Sequence, residues 1–241
     1  MYFRPLPALS AIVAVLLAFL IGLGVWQLQR LQWKLALIEQ VNRNMHATPV
    51  RLDGGALPAH DPSTEYLHVA ATGRFDNARE AYIFGIGPEG GPVFHVVVPF
   101  TLQGGRVLLV DRGIVPRDMK NPATRPAGIR YGETSITGVW RWEEKPGTFT
   151  PPPDLKQRVW YFRDVAGIAR ADGIALAAQA LIEADAAPNP GGWPRGGQTV
   201  VNFRNEHLQY AITWFLMAAA LLGVYLAYHV SRGRLGFAKR I

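Results

Sequence analysis

The sequence predicts a membrane protein in which a two-helix transmembrane hairpin flanks a mostly antiparallel β extracytoplasmic domain with one or two short helices. Three observations carry this. Two uncharged apolar runs stand near the two ends of the 241-residue chain. The middle is a series of short β-branched runs punctuated by Gly and Pro. The formal charge of +7 is concentrated beside the apolar runs.

The first apolar run, residues 8–28 (ALSAIVAVLLAFLIGLGVWQL), follows a short N-terminal segment, residues 1–7. It reaches the roughly 20 residues a helix needs to cross a bilayer. A signal peptide is the competing reading, but no A-x-A site follows and the apolar pattern continues. Beyond it Leu28, Leu31, Leu35 and Ile38 recur at three- and four-residue steps with charges between them. This predicts an amphipathic helical extension over 29–44. Trp26 and Trp33 fit an interfacial aromatic belt.

Residues 45–204 change texture. GPEGGP, QGG, PPPD and PNPGGWPRGG separate runs that read as strands: YLHVAATGRF, EAYIFGI, FHVVVPFTL, RVLLVDRG, TSITGVWRWE and a final QALIEAD. FTLQGGRVLLV is a hairpin with Gly104-Gly105 at its turn. DVAGIARADG is a short helix with Asp164 as its N-cap. The pattern fits a sandwich or a barrel.

The second apolar run lies within residues 205–230 (NEHLQYAITWFLMAAALLGVYLAYHV), with Asn205 and Glu206 as cap and first-turn residues. Residues 231–241 are a basic tail. The positive-inside rule places this tail, and with it the N-terminus, in the cytoplasm. The intervening loop of about 180 residues is long enough to translocate regardless of its charge. Ala14, Ala18 and Gly22 in the first run, and Ala219, Gly223 and Ala227 in the second, form small-residue stripes. In an antiparallel hairpin these are expected to face each other, Ala14 near Ala227 and Gly22 near Ala219.

Several function classes are excluded or weakened. With no cysteine there is no disulfide, thiolate metal site or thiol nucleophile. Between Asn44 and Glu206 there are 17 basic and 17 acidic residues, so the excess charge marks membrane surfaces and no nucleic-acid partner is expected. No GxSxG, HExxH, P-loop or GxGxxG occurs. His46, His60, His68, His95 and His229 show no metal-ligand spacing, and His68 and His95 read as strand-face residues. Asp111-Arg112, at a strand end, reads as an ion pair or a turn fixation. No converging acid, base or nucleophile set is found, so an enzyme is not expected.

His207 is the one histidine at a telling depth. It lies 25 residues before Arg232, about 37 Å along a helix. That puts it at the outer interface when Arg232 meets the cytoplasmic surface of a core about 30 Å thick. Tyr210, Ala211 and Trp214 follow on its face. An axial nitrogen, an aromatic wall and nearby cations are what a porphyrin needs. His207 offers the nitrogen, Tyr210 or Trp214 the wall, and Arg204, Arg30 or Lys34 the partners for propionates. An interfacial belt with a hydrogen-bonded histidine is the plainer alternative.

LGVWQLQRLQWKLALI, VDRGIVPRDMKNPATR, WYFRD and GGQTVVNFRNEHLQYAITWF occur in this order. Together they resemble the Surfeit-locus family of cytochrome c oxidase assembly factors, which includes the yeast Shy-type protein. The likeness runs from about Gly22 to Phe215. It departs at Asp111, where the family usually has Asn. It implies a two-span protein with its domain in a periplasm or intermembrane space. It also implies help in maturing the catalytic subunit of a haem-copper oxidase, and haem a binding through the histidine at the second span, His207. The partners implied are cytochrome c oxidase subunit I, the haem a synthesis enzymes and the lipid bilayer. Only MYFRPLP precedes the first run, without a basic amphipathic presequence, so the bacterial cytoplasmic membrane is the expected location. A cofactor-free scaffold that holds the nascent subunit is the alternative function.

Overall fold

The computed structural model describes residues 2–199, 201 and 203–236. Two compact units result: one of residues 1–39 and 202–241, the other of residues 40–201.

The first unit is built on two helices, both long and apolar enough to cross a membrane. After a two-residue strand β1 (Tyr2–Phe3), helix α1 (Pro7–His46) runs for 40 residues, about 60 Å. Pro7 occupies its first position, where a missing N–H is no loss. The second long helix, α3 (His207–Ser231), is followed by strand β10 (Leu235–Gly236). β1 and β10 pair antiparallel, Tyr2 with Gly236 and Phe3 with Leu235. The Lys239 and Arg240 end of the basic tail lies outside the described residues.

Residues withdrawn from the surface recur along α1 at alternating steps of three and four: Ser10, Val13, Leu17, Leu20, Gly24, Gln27, Leu31, Lys34. Along α3 the same spacing gives His207, Ala211, Trp214, Ala218, Leu221 and Tyr225, with His229 one turn on. A seam of period 3.5 is that of two helices in a left-handed antiparallel supercoil. Three contacts fix its register. The hydroxyls of Ser10 and Tyr225 are 2.6 Å apart, His207 Nδ1 lies 2.7 Å from Gln27 Oε1, and the Leu6 N–H meets His229 Nε2 at 3.4 Å.

The predicted small-residue contact is therefore overturned. Ala14, Ala18, Ala219 and Ala227 are exposed, and no atom comes within 4 Å of a Cβ built at Gly22 or Gly223. With Ser10 opposite Tyr225, Ala227 lies level with residue 8 rather than with Ala14, a slip of about 9 Å. The small residues that do pack are Gly24, Ala211 and Ala218. Gly24 leaves room for the Phe215 ring, which a Cβ would meet at 2.6 Å.

The second unit contains β2 (Val50–Arg51), β3 (His68–Phe75), β4 (Ala81–Ile86), β5 (Pro92–Leu102), β6 (Val107–Pro116), β7 (Thr134–Trp142), β8 (Val159–Trp160), helix α2 (Val165–Asp172) and β9 (Ala180–Ala184). Neighbouring strands pair in a ring: β3 with β7, β7 with β9, β9 with β6, β6 with β5. The ring closes where Phe100–Leu102 of β5 meets Gly73–Phe75 of β3. Of the two architectures the pattern allows, the chain adopts the barrel. Opposite β6, β5 serves two partners along one edge because it is long: its first half, Pro92–Val97, holds β4, which β8 extends, and its end meets β3; its pairing with β6 is bulged between His95 and Val97. β2–β3, β4–β8 and β6–β9 are parallel, and the remaining pairs are antiparallel.

β6 explains the unbroken apolar run VLLV, residues 107–110. Leu108 and Val110 join Phe100, Trp140 and Ile182 in one core cluster, while Leu109 on the other face packs with Val165 and Ile168 of α2. Both faces are covered, so neither needs to be polar. α2 starts where Asp164 accepts a hydrogen bond from the Gly167 N–H at 2.7 Å.

Candidate functional site

Where the start of α3 meets α1, the helix pair is organised around His207. Gln27 Oε1 can only accept, so the imidazole donates from Nδ1, and Nε2 keeps its lone pair. No partner for Nε2 occurs among the described residues. A ring nitrogen oriented by a hydrogen bond on its far side is how metal-binding histidines are usually held. Trp214 is half-buried on the same seam; Tyr210, one turn from His207, is exposed on its flank.

The cations have other attachments. Arg204 is exposed and donates from Nε to Glu206 Oε1 at 2.7 Å. Arg30 stacks on Trp33 at 4.3 Å, and Lys34 Nζ lies 4.8 Å from the Phe203 ring centre. Glu206 occupies the cap position of α3, but its side chain makes no capping bond, because Arg204 holds it. Asn205 is not the cap residue; its Oδ1 is buried without a partner among the described residues. Sequence reasoning located His207 and missed Gln27. The available signal was that Gln27 is polar at a seam position within an apolar run.

His229, at the opposite end of α3, is fully buried. Its Nδ1 donates to the Tyr225 carbonyl at 2.9 Å, and its Nε2 accepts from the Leu6 N–H. It ties down Leu6, the residue just before α1, and has no nitrogen left for a ligand.

In the β-domain, three of the quoted motifs converge near the end of β9. Asp111 does not pair with Arg112. Its Oδ2 bonds His95 Nδ1 at 2.7 Å, and its Oδ1 accepts from the Gly113 N–H at 2.8 Å. Burial alone would lower the His95 pKa, but the Asp111 carboxylate overrides it and holds the imidazole above its ordinary value. Arg163 of WYFRD and Thr199 of GGQT both bond Glu183, at 2.7 and 2.6 Å, and Arg141 reaches the same carboxylate. Gly113, at φ +109°, lets Arg195 lie against β6; a Cβ there would sit 1.9 Å from the Arg195 carbonyl oxygen. Gly196 likewise allows the Asp185 carbonyl to approach. The motif residues of the domain are thus accounted for by close packing and ion pairing, with Glu183 as a hub that sequence reasoning did not single out. Among the described residues no group of three or more His, Asp or Glu is placed to hold a metal ion.

The SURF1 family model matches residues 14–219, which contain α1 from its third turn, the whole barrel and the first half of α3. The chain belongs to the SURF1 family. Curated relatives agree. It is 38% identical over 216 residues to Surfeit locus protein 1 of Mus musculus, covering 83% of this chain and 68% of that one. The human protein of the same name is 38% identical over 215 residues, covering 83% and 70%. That of Takifugu rubripes is 33% identical over 227 residues, covering 88% and 92%. The match to the SURF1 family includes both Gln27 and His207. Where the resemblance led to Asn, Asp111 supplies a charge to His95; an Asn amide could keep the bond to Gly113 without that charge.

Proposed function

We propose that this protein is an assembly factor for haem-copper cytochrome c oxidase, and that it holds haem a on His207 for the maturing catalytic subunit. Membership in the SURF1 family supports the oxidase-assembly role. One observation supports the haem reading: at the start of α3, Gln27 orients the His207 ring and leaves Nε2 open. The residues fit the group. Trp214 and Tyr210 offer aromatic walls, and Lys34 and Arg30 are held by rings rather than by carboxylates, so propionates can recruit them. When bound, the haem supplies an iron with a position for an axial nitrogen.

Subunit I of the oxidase, the haem a synthesis enzymes and the bilayer are the partners this reading requires. The basic residues Arg232 and Arg234 support a reading in which the end of α3 is cytoplasmic and the β-domain lies across the membrane from it. The relatives named above are eukaryotic.

A second reading is favoured by the pairing itself. His207 with Gln27 pins helix register as Ser10 with Tyr225 does. On that reading the hairpin and barrel are a cofactor-free scaffold for the nascent subunit. The absorbance spectrum of the full-length protein, purified from cells making haem a, separates the two. A Soret band that is lost in His207→Ala supports haem holding. A colourless wild type, or a band unchanged in the variant, leaves the scaffold.

A further inference from the structure

The arginines of the β-domain differ in how their charge is met. Arg125 pairs with Glu80, Arg141 with Glu65 and Glu183, Arg158 with Asp172, and Arg163 with Glu144 and Glu183. Arg112 is only 6% exposed, yet among the described residues no carboxylate lies within ion-pair distance of it; the charge of Glu80, already paired with Arg125, acts on it only from further off. Its Nη2 donates to the Gly128 carbonyl at 2.6 Å, its guanidinium lies 4.9 Å from the Phe75 ring centre, and its Nη1 is buried with no hydrogen-bond partner. Buried charges are normally paired, because an unpaired one loses its hydration without return. Burial lowers the Arg112 pKa to about 10, which leaves it charged at neutral pH.

Arg112 lies on the wall of a cavity of about 340 Å³ between β3, β7 and the loops around Arg130 and Asn189. Arg130 lines the same cavity and is likewise met only by neutral oxygens, Asn189 Oδ1 at 3.2 Å and the Pro188 carbonyl at 3.0 Å. The one acidic wall residue, Asp185, is engaged by His68 at 2.9 Å. Arg51 also lines the cavity but is exposed and ion-paired with Asp53 at 2.8 Å; Phe75, Ile136, Pro194 and four alanines supply the apolar wall, and the exposed Ser135 and Thr137 stand at the rim. The volume is at the small end of ligand-binding cavities.

We propose that this cavity binds a small molecule with an oxyanion head and an apolar body, the head held by Arg112 and Arg130. Two guanidinium groups without carboxylates match the fork geometry that carboxylates and phosphates accept. The apolar walls take the remainder of the ligand. The site is independent of the reading of His207.

The test uses the full-length protein in lipid nanodiscs with para-trifluoromethylbenzoate as probe, followed by fluorine NMR. The neutral para-trifluoromethylbenzamide is the control, and inorganic phosphate is the competitor. Saturable binding of the acid is expected, about tenfold or more tighter than that of the amide, with a loss of similar size in Arg112→Gln and in Arg130→Gln. Phosphate is expected to compete only at much higher concentration. If Arg112→Gln fails to fold, Arg130→Gln and the rim-blocking Ser135→Trp decide. Equal binding of acid and amide, or undiminished binding in the folded variants, overturns the site. Competition by phosphate at concentrations equal to the probe overturns the apolar half of the proposal.

Discussion

The two ends of α3 each carry a histidine, and the two rings are treated differently. His229 is fully buried, and both of its nitrogens are used, one on the Tyr225 carbonyl and one on the Leu6 N–H. His207 is half-buried, and among the described residues only its Nδ1 has a partner, Gln27. An imidazole with both nitrogens engaged is part of the scaffold. One with a single nitrogen fixed keeps the other for a further partner. The contrast teaches that the histidine near an aromatic cluster is not automatically the ligand. His229 sits among Phe3, Tyr225 and Tyr228 and is the closed one.

The sharpest test exchanges the fates of the two rings. His207→Ala is expected to abolish haem a retention, read as loss of the Soret band. His229→Leu should keep the band but lower stability by about 1–3 kcal/mol, measured by denaturation in micelles, because the Leu6 N–H loses its acceptor. Loss of the band in His229→Leu with folding intact would break the comparison. Gln27→Leu should weaken haem a binding by about 10–100-fold while leaving a band at high protein concentration. An unchanged affinity would mean that the Gln27 bond serves register alone. Gly24→Leu forces the Phe215 ring aside and should cost about 1–3 kcal/mol. Gly22→Leu, facing outward, should stay within about 0.5 kcal/mol, and paired melting curves distinguish them.

The smallest effect concerns a third histidine, His95, in the barrel. Its raised pKa means that its pairing with Asp111 contributes stability fully present below about pH 6.5 and lost as pH rises through the folded value. Asp111→Asn should flatten the fall of Tm over that window. A slope of the same sign should remain from His68. There burial alone would lower the pKa, but the Asp185 contact raises it.

The strands of the barrel were readable because each has a covered face. β3 alternates, β6 opens with four residues apolar on both faces, and the Asp164 cap and the Gly104-Gly105 turn mark their neighbours. Closure of the ring was not readable. It rests on three residue pairs between β3 and β5, which are far apart in sequence and carry no local signal. The helix seam failed for another reason. In lipid the outward face is as apolar as the inward one, so hydrophobic periodicity disappears and small residues occur on both. What does mark the seam is its polar members. Ser10 and Gln27 on α1, with His207, Tyr225 and His229 on α3, fix both face and register once they are paired. His207 was found from its depth, but Gln27 could be recognised only through that pairing. Glu183 was hidden because its three partners come from three distant segments.

Closure of the barrel has a consequence for how the domain opens. In an open sheet, solvent exchange of amide hydrogens begins at the outermost strand and works inward. Here β3, β5, β6, β7 and β9 each have a neighbour on both sides, so none of them is outermost. The ring has to break at several pairings together, and its amides should exchange as one slow group. The two-residue strands β2 and β8 lie outside that ring and should exchange first.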